Sequence, residues 1–116
     1  MLNLEKKVIA KATMQEYPNS MNQTERKYAL HLSLLQRAGE ILRWDFESEK
    51  LRLAENTFYS PDFRVIRPDG TIEFHEVKGF WRDDARVKIK VAAHTHPYKF
   101  IAVSATKKGG WDYEEF

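Results

Sequence analysis

Asp62, Glu76 and Lys78 are the residues of this 116-residue chain whose types and spacing could do chemistry together. Glu76 and Lys78 fall at alternate positions of the run Thr71-Ile72-Glu73-Phe74-His75-Glu76-Val77-Lys78, so on a β-strand they continue the face that carries Ile72 and Phe74. A strand face that turns from apolar to doubly charged within two residues needs a reason. Pro68-Asp69-Gly70 just upstream suits a type I turn closed by a left-handed glycine, a three-residue hairpin loop. That loop pairs Arg67 with Thr71, Ile66 with Ile72, Arg64 with Phe74, and Asp62 with Glu76. A two-residue loop would instead put Asp62 opposite Val77, on the wrong face.

In the three-residue register the Asp62 and Glu76 Cβ atoms stand about 5 Å apart. Two carboxylates at that distance repel unless a cation lies between them. An oxygen-only pair suits Mg²⁺ or Mn²⁺, with water and a substrate phosphate filling the remaining positions. Lys78 could hold or activate a water, or neutralise charge gathering on a phosphoryl group. The chemistry so described is hydrolysis of a phosphate ester. Considered alone, a Glu-x-Lys triplet on a strand is more often a surface ion pair. Three things shift the balance: the apolar Ile72 and Phe74 on the same face, the hairpin that delivers Asp62, and Glu25 on a core-facing helix stripe.

The elements that must position these groups are legible in outline. Asn22 is a good N-cap, Glu25 suits N3 of a capping box, and Gly39 can end the helix at C′. Tyr28, Leu32 and Leu35 form its apolar stripe, and Glu25 lies roughly 60° from Tyr28, leaning toward the core. The capping box explains Glu25 without any chemistry. Strands are expected at Ile41 to Phe46, Lys50 to Leu53, Phe63 to Arg67 and Thr71 to Lys78, with Glu47-Ser48-Glu49 a turn between the first two. Residues 82 to 94 read as a helix with Ala85, Ile89 and Ala92 on one face and Val87 and Val91 on another, which predicts cover on both sides. Tyr98 to Ser104 reads as a buried strand, Lys107 to Gly110 as a turn and Trp111 to Phe116 as an edge strand. This order predicts an α/β (α+β) fold around one mixed sheet.

Residues 1–20 mix apolar and charged residues without a period and end in the loop signal Tyr17-Pro18-Asn19-Ser20, so they read as an N-terminal arm or extension before a domain over 21–116. Hydrophobic residues at 42% and aromatics at 13% favour a folded chain over a disordered one. With no run of about 18 apolar residues and no leader pattern, a cytoplasmic protein without membrane contact is expected. The absence of cysteine rules out disulfides and thiolate zinc sites. The net charge of +2 hides an asymmetry: eight basic residues against two acidic ones between Lys78 and Lys108, a half that could face a polyanion or be a solvated helix face.

Ser60-Pro61-Asp62-Phe63, followed after a hairpin by Glu76-Val77-Lys78-Gly79, resembles the PD-(D/E)XK nuclease superfamily, and Thr24 to Tyr28 resembles its first core helix. More narrowly, Met21 to Phe116 is similar to a small phage and prophage family of uncharacterised proteins near junction-resolving endonucleases. The resemblance implies a restriction-endonuclease-like core in the order α-β-β-β-α-β. It implies Mg²⁺ (or Mn²⁺) held by Asp62, Glu76, the main-chain carbonyl of Val77 and, directly or through water, Glu25. Lys78 would then orient or activate the attacking water. The implied activity is DNA cleavage in a host cytoplasm, on branched or otherwise structured substrates, without a small-molecule cofactor. A homodimer would supply the two sites that cutting both strands requires.

Arg82, Arg86, Lys88 and Lys90 could grip phosphates near the scissile bond, or simply be solvated. Phe80 and Trp81 are expected to pack the helix start rather than stack on a base, and His94 and His96 lack the further ligand a zinc site would need. His31 and His75 read as ordinary surface or packing histidines, and Arg64 as an ion-pair partner near Asp62 or a phosphate contact. Two rival readings keep the fold without the chemistry: a non-catalytic nucleic-acid-binding or regulatory phage protein, and a structural assembly protein.

Overall fold

The computed structural model describes residues 20–79 and 83–116. The expected arm therefore lies almost wholly outside the described residues, as do Phe80, Trp81 and Arg82. Helix α1 spans Gln23–Arg37 and starts with the capping box expected of it: the Asn22 side chain accepts from the Glu25 N–H at 2.8 Å, and Glu25 Oε1 accepts from the Asn22 N–H at 2.8 Å. It stops where Gly39 takes φ +81°, a conformation costly for residues with a Cβ.

Seven strands follow: β1 (Arg43–Phe46), β2 (Leu51–Ala54), β3 (Thr57–Tyr59), β4 (Phe63–Ile66), β5 (Ile72–Val77), then, after helix α2 (Asp83–Thr95), β6 (Lys99–Ala105) and β7 (Trp111–Glu115). The chain is an α+β protein with a mixed five-stranded sheet, in the order β1-β4-β5-β6-β7. Only β5 and β6 run parallel, joined through α2, because parallel neighbours need a crossover connection. The other pairs are antiparallel.

The observed order differs from α-β-β-β-α-β in three ways. A fifth strand, β7, closes the sheet as an edge, in keeping with the reading of 111–116. Strands β1 and β2, expected to flank a turn, do not pair. Glu47 adopts φ +47° and its N–H donates to the Asp62 carbonyl at 2.8 Å, which commits this end of β1 to β4 and turns the chain away. Aromatic packing holds β1 there, with Trp44 and Phe46 both against Phe63. Strand β3, unassigned in the sequence reading, then pairs with β2 as a separate hairpin around Asn56, which takes φ +55°.

The sheet has a core on each face. Under α1, Tyr28, Ala29 and Leu32 pack on Phe63, Val65, Val77, Ile101 and Val103. On the opposite face, Ile89 and Ala92 of α2 pack with Phe74, Phe100, Leu51 and Tyr59. The two-sided cover expected for α2 is not found: Val87 is 58% exposed, because one sheet face and one small hairpin can bury only one stripe of the helix. Among the described residues no helix is long and apolar enough to cross a membrane.

Candidate active site

The hairpin takes the three-residue register. Arg67 donates to the Thr71 carbonyl at 2.8 Å, Gly70 takes φ +89°, Asp69 accepts from the Thr71 hydroxyl and N–H, and Ile66 pairs with Ile72 and Arg64 with Phe74. Extending that ladder by two residues sets Asp62 beside Glu76, and hydrogen bonds fix the pair. The Asp62 N–H donates to Glu76 Oε1 at 3.0 Å, while the Val77 N–H donates to Asp62 Oδ2 at 2.8 Å. Each carboxylate is thus anchored by the backbone of the other's strand. Pro61, fully buried, fixes φ immediately before Asp62, and the small Ala102 lies opposite Glu76 on β6.

Both acids are buried, Asp62 at 9% and Glu76 at 7% exposure. Burial raises the Asp62 pKa to about 8, reinforced by the charges of Glu76 and Glu25 and opposed by the Val77 N–H and Lys78. Burial likewise raises that of Glu76, against the pull of Lys78, the Asp62 N–H and Tyr59. A magnitude shows why the protein groups do not suffice. Two unit charges 5 Å apart at an effective dielectric near 20 repel by about 3 kcal/mol, as much as one charged hydrogen bond returns, before any desolvation is counted. The pair needs a proton or a cation.

Lys78 supplies part of that cation. Its Nζ lies 3.5 Å from Glu76 Oε2, it is one-third exposed, and its N–H extends the β5–β6 ladder by donating to the Val103 carbonyl at 2.9 Å. Glu25 is buried, and its charge acts on Asp62, although one of its oxygens caps its own helix. The structure therefore brings Asp62, Glu76 and Lys78 together, with Glu25 within electrostatic reach and Val77 holding Asp62 through its N–H. Among the described residues, no group of three or more His, Cys, Asp or Glu is gathered closely enough to hold a metal ion by itself. The donor set still fits a hard divalent cation. Asp62 Oδ1 and Glu76 Oε2 are the oxygens not spent on backbone N–H groups, and such an ion takes few protein ligands and keeps several waters.

Tyr59 is the functional candidate that the sequence reading missed. Its hydroxyl donates to Glu76 Oε1 at 3.1 Å, and burial beside Glu76 pushes its pKa up, so it stays a donor. The signal was the β-rich Thr57-Phe58-Tyr59 run directly before Ser60-Pro61-Asp62, but nothing in that run says which strand it pairs with. The basic candidates are divided. Arg86 is held bidentately by Glu114, at 3.1 and 2.8 Å, while Lys88 and Lys90 are exposed on α2. Arg64 pairs with Asp45 and Glu49 of the β1–β2 region instead of Asp62. His96 bonds the Arg52 carbonyl and His94 is exposed.

No family model, no curated protein and no solved structure matches this chain.

On the α1 face, His75 is a buried packing histidine with two partners. Burial would raise the Glu73 pKa, but hydrogen bonds from His75 and Arg67 bring it down to about 2. An ionised Glu73 makes His75 Nε2 the donor at 2.9 Å, so Nδ1 accepts from the Tyr28 hydroxyl at 2.6 Å. This chain of polar contacts ties α1 to β5 one residue before Glu76.

Proposed function

We propose that this protein is a metal-dependent endonuclease of restriction-endonuclease-like architecture that hydrolyses phosphodiester bonds in DNA, branched or structured DNA included. The observation that carries this reading is the buried Asp62–Glu76 pair, each acid anchored by the other's strand, with Lys78 on its open side. Asp62 and Glu76 would hold Mg²⁺ or Mn²⁺, with the Val77 carbonyl at the end of β5 and Glu25 through water as the further ligands. The bound ion would supply Lewis-acid stabilisation of charge on the phosphoryl oxygens. Lys78 orients the attacking water and moves a proton at its Nζ. Tyr59 and the Asp62 N–H hold Glu76 in one orientation. Arg82, Lys88 and Lys90 would contact phosphates. A homodimer would give two sites for two strands.

One observation favours a non-cutting DNA-binding protein of the same fold: one oxygen of each acid, and one of Glu25, is already committed to backbone N–H groups. Cleavage separates the two. Supercoiled plasmid, single-stranded DNA and a four-way junction are each incubated with Mg²⁺ or with chelator, using wild type, Asp62→Ala and Lys78→Ala. The nuclease reading expects Mg²⁺-dependent cutting that both variants abolish. No cutting on any substrate, or variants as active as wild type, overturns it.

A further inference from the structure

Beside Lys78, on β6, stands a hydroxyl without a hydrogen-bond partner among the described residues, that of Ser104. We propose that Ser104 is a further catalytic residue of the carboxylate site, a hydrogen-bond donor to a non-bridging oxygen of the scissile phosphate, an assignment that rests on the nuclease reading. Three observations carry it.

The first is register. β6 runs parallel to β5 with Glu76 beside Ala102 and Val77 beside Val103, and the Lys78 N–H donates to the Val103 carbonyl at 2.9 Å, so the next pair is Lys78 with Ser104. Paired residues on neighbouring strands share a face and stand about 4.8 Å apart. Ser104 also alternates with Ala102 and with Phe100, which packs under α2 beside Phe74. It therefore lies on the face of Asp62, Glu76 and Lys78, one strand spacing from Lys78.

The second is space. Along that face β6 passes from Phe100, fully buried, through Ala102 at 2% exposure to Ser104, which is partly exposed. The strand thus emerges from beneath α2 at the level of Lys78, itself one-third exposed. Ala102 has only a methyl group, so β6 puts no bulk between Ser104 and Glu76.

The third is an unspent donor. Thr106, two residues farther along the same face, shows what a local task looks like: its hydroxyl accepts from the Gly110 N–H at 2.9 Å and closes the β6–β7 turn. Ser104 has no such task. On its far side stands Asp112 of β7, exposed and of the substrate's own sign, which makes β6 the limit of the phosphate contact.

A phosphodiester has two non-bridging oxygens. One is the ligand for an ion held by Asp62 and Glu76, and the other is left for a donor on β6, where negative charge grows as water attacks. A serine hydroxyl supplies that donor without changing the charge of the site. Ser104 forms no bond to phosphorus and gives up no proton. It holds the phosphate and relieves the developing charge.

The test compares wild type, Ser104→Ala, Ser104→Thr and Thr106→Ala on the substrate form that wild type cuts with Mg²⁺, made as an oligonucleotide with one phosphorothioate of known configuration at the mapped cut. Ser104→Ala should lower kcat by about tenfold to a hundredfold, the loss of one hydrogen bond to a charged oxygen. KM, and binding of the labelled oligonucleotide in chelator, should stay within about threefold of wild type, because the bond strengthens only as charge develops. Ser104→Thr should keep most of the rate. Thr106→Ala should melt at a lower temperature yet cut as wild type does per folded molecule. With the isomer whose sulfur replaces the oxygen that Ser104 serves, the Ser104→Ala loss should largely vanish, and with the other isomer it should persist. A Ser104→Ala protein as fast as wild type overturns the proposal. So does an equal loss with both isomers, which marks a structural role, or a loss that appears wholly as weaker binding in chelator. Each of these outcomes, with a wild type that cuts, removes Ser104 alone. A wild type that cuts no substrate removes the nuclease reading and this role with it.

Discussion

At the scale of single residues, the site is an electrostatic problem handled by three donors. Glu76 takes the Asp62 N–H, the Tyr59 hydroxyl and Lys78, and still binds a proton more readily than an ordinary glutamate because burial dominates. Tyr59→Phe removes one donor and leaves the ring to pack against Leu51 and Phe74. Loss of a hydrogen bond to a charged group costs about 1–3 kcal/mol, and Glu76 then needs a higher pH to ionise. In the proposed enzyme the acidic limb of the rate profile should shift toward higher pH, with KM close to wild type. A Tyr59→Phe profile that superimposes on wild type would mean that this hydroxyl does not govern Glu76. His75 shows the opposite outcome for a polar residue near the site. Its two ring nitrogens are satisfied by Glu73 and Tyr28, so it serves packing.

At the scale of elements, α2 separates what pattern can and cannot say. Ile89 and Val87 are both apolar residues in one helix, two positions apart, yet Ile89 is 1% exposed and Val87 58%. Ile89→Ala should cost about 2–5 kcal/mol in denaturant unfolding, since it opens a cavity among Phe74, Phe100 and Leu51. Val87→Ala should stay within about 0.5 kcal/mol. Equal costs would mean that α2 packs on a different face. The β2–β3 hairpin has the same lesson. It is too small to stand alone, and it folds because Leu51 and Tyr59 complete the core under α2, which also delivers the Tyr59 hydroxyl to Glu76.

At the scale of the whole molecule, the buried acids make folding depend on pH and on divalent ions. The folded pKa of Asp62, about 8, stands above its ordinary 3.8, so the folded chain keeps a proton that the unfolded chain releases. This contribution to stability is complete below about pH 4 and is lost as pH rises through 8. His75 acts in the other direction: burial lowers its pKa, so acid below its ordinary 6.5 favours the unfolded chain. Without divalent ions the melting temperature should therefore fall as pH rises from about 6.5, where His75 no longer offsets Asp62, to about 8, and level off above that. Mg²⁺ should restore most of it at the upper end, where the acids are ionised. Asp62→Asn should flatten both trends while keeping an acceptor for the Val77 N–H. Persistence of both trends in that variant would assign them to other groups.

The sequence by itself determined whatever depends on neighbours along the chain. Asn22 and Glu25 cap α1 because their partners are three residues away, and Pro68-Asp69-Gly70 fixes a register because a turn is local, so the pairing of Asp62 with Glu76 could be counted out from it. Only the tertiary structure decided what depends on competition between distant surfaces. β1 leaves the turn at Glu47-Ser48-Glu49 to pair with β4, because Trp44 and Phe46 find Phe63 there. Tyr59 reaches Glu76, Arg64 turns to Asp45 and Glu49, and a groove opens beside Trp111. Each of these contacts joins residues whose separation in sequence carries no periodic or turn signal. Their pairing follows from how the two cores fill on either side of one sheet, which no single stretch of chain encodes.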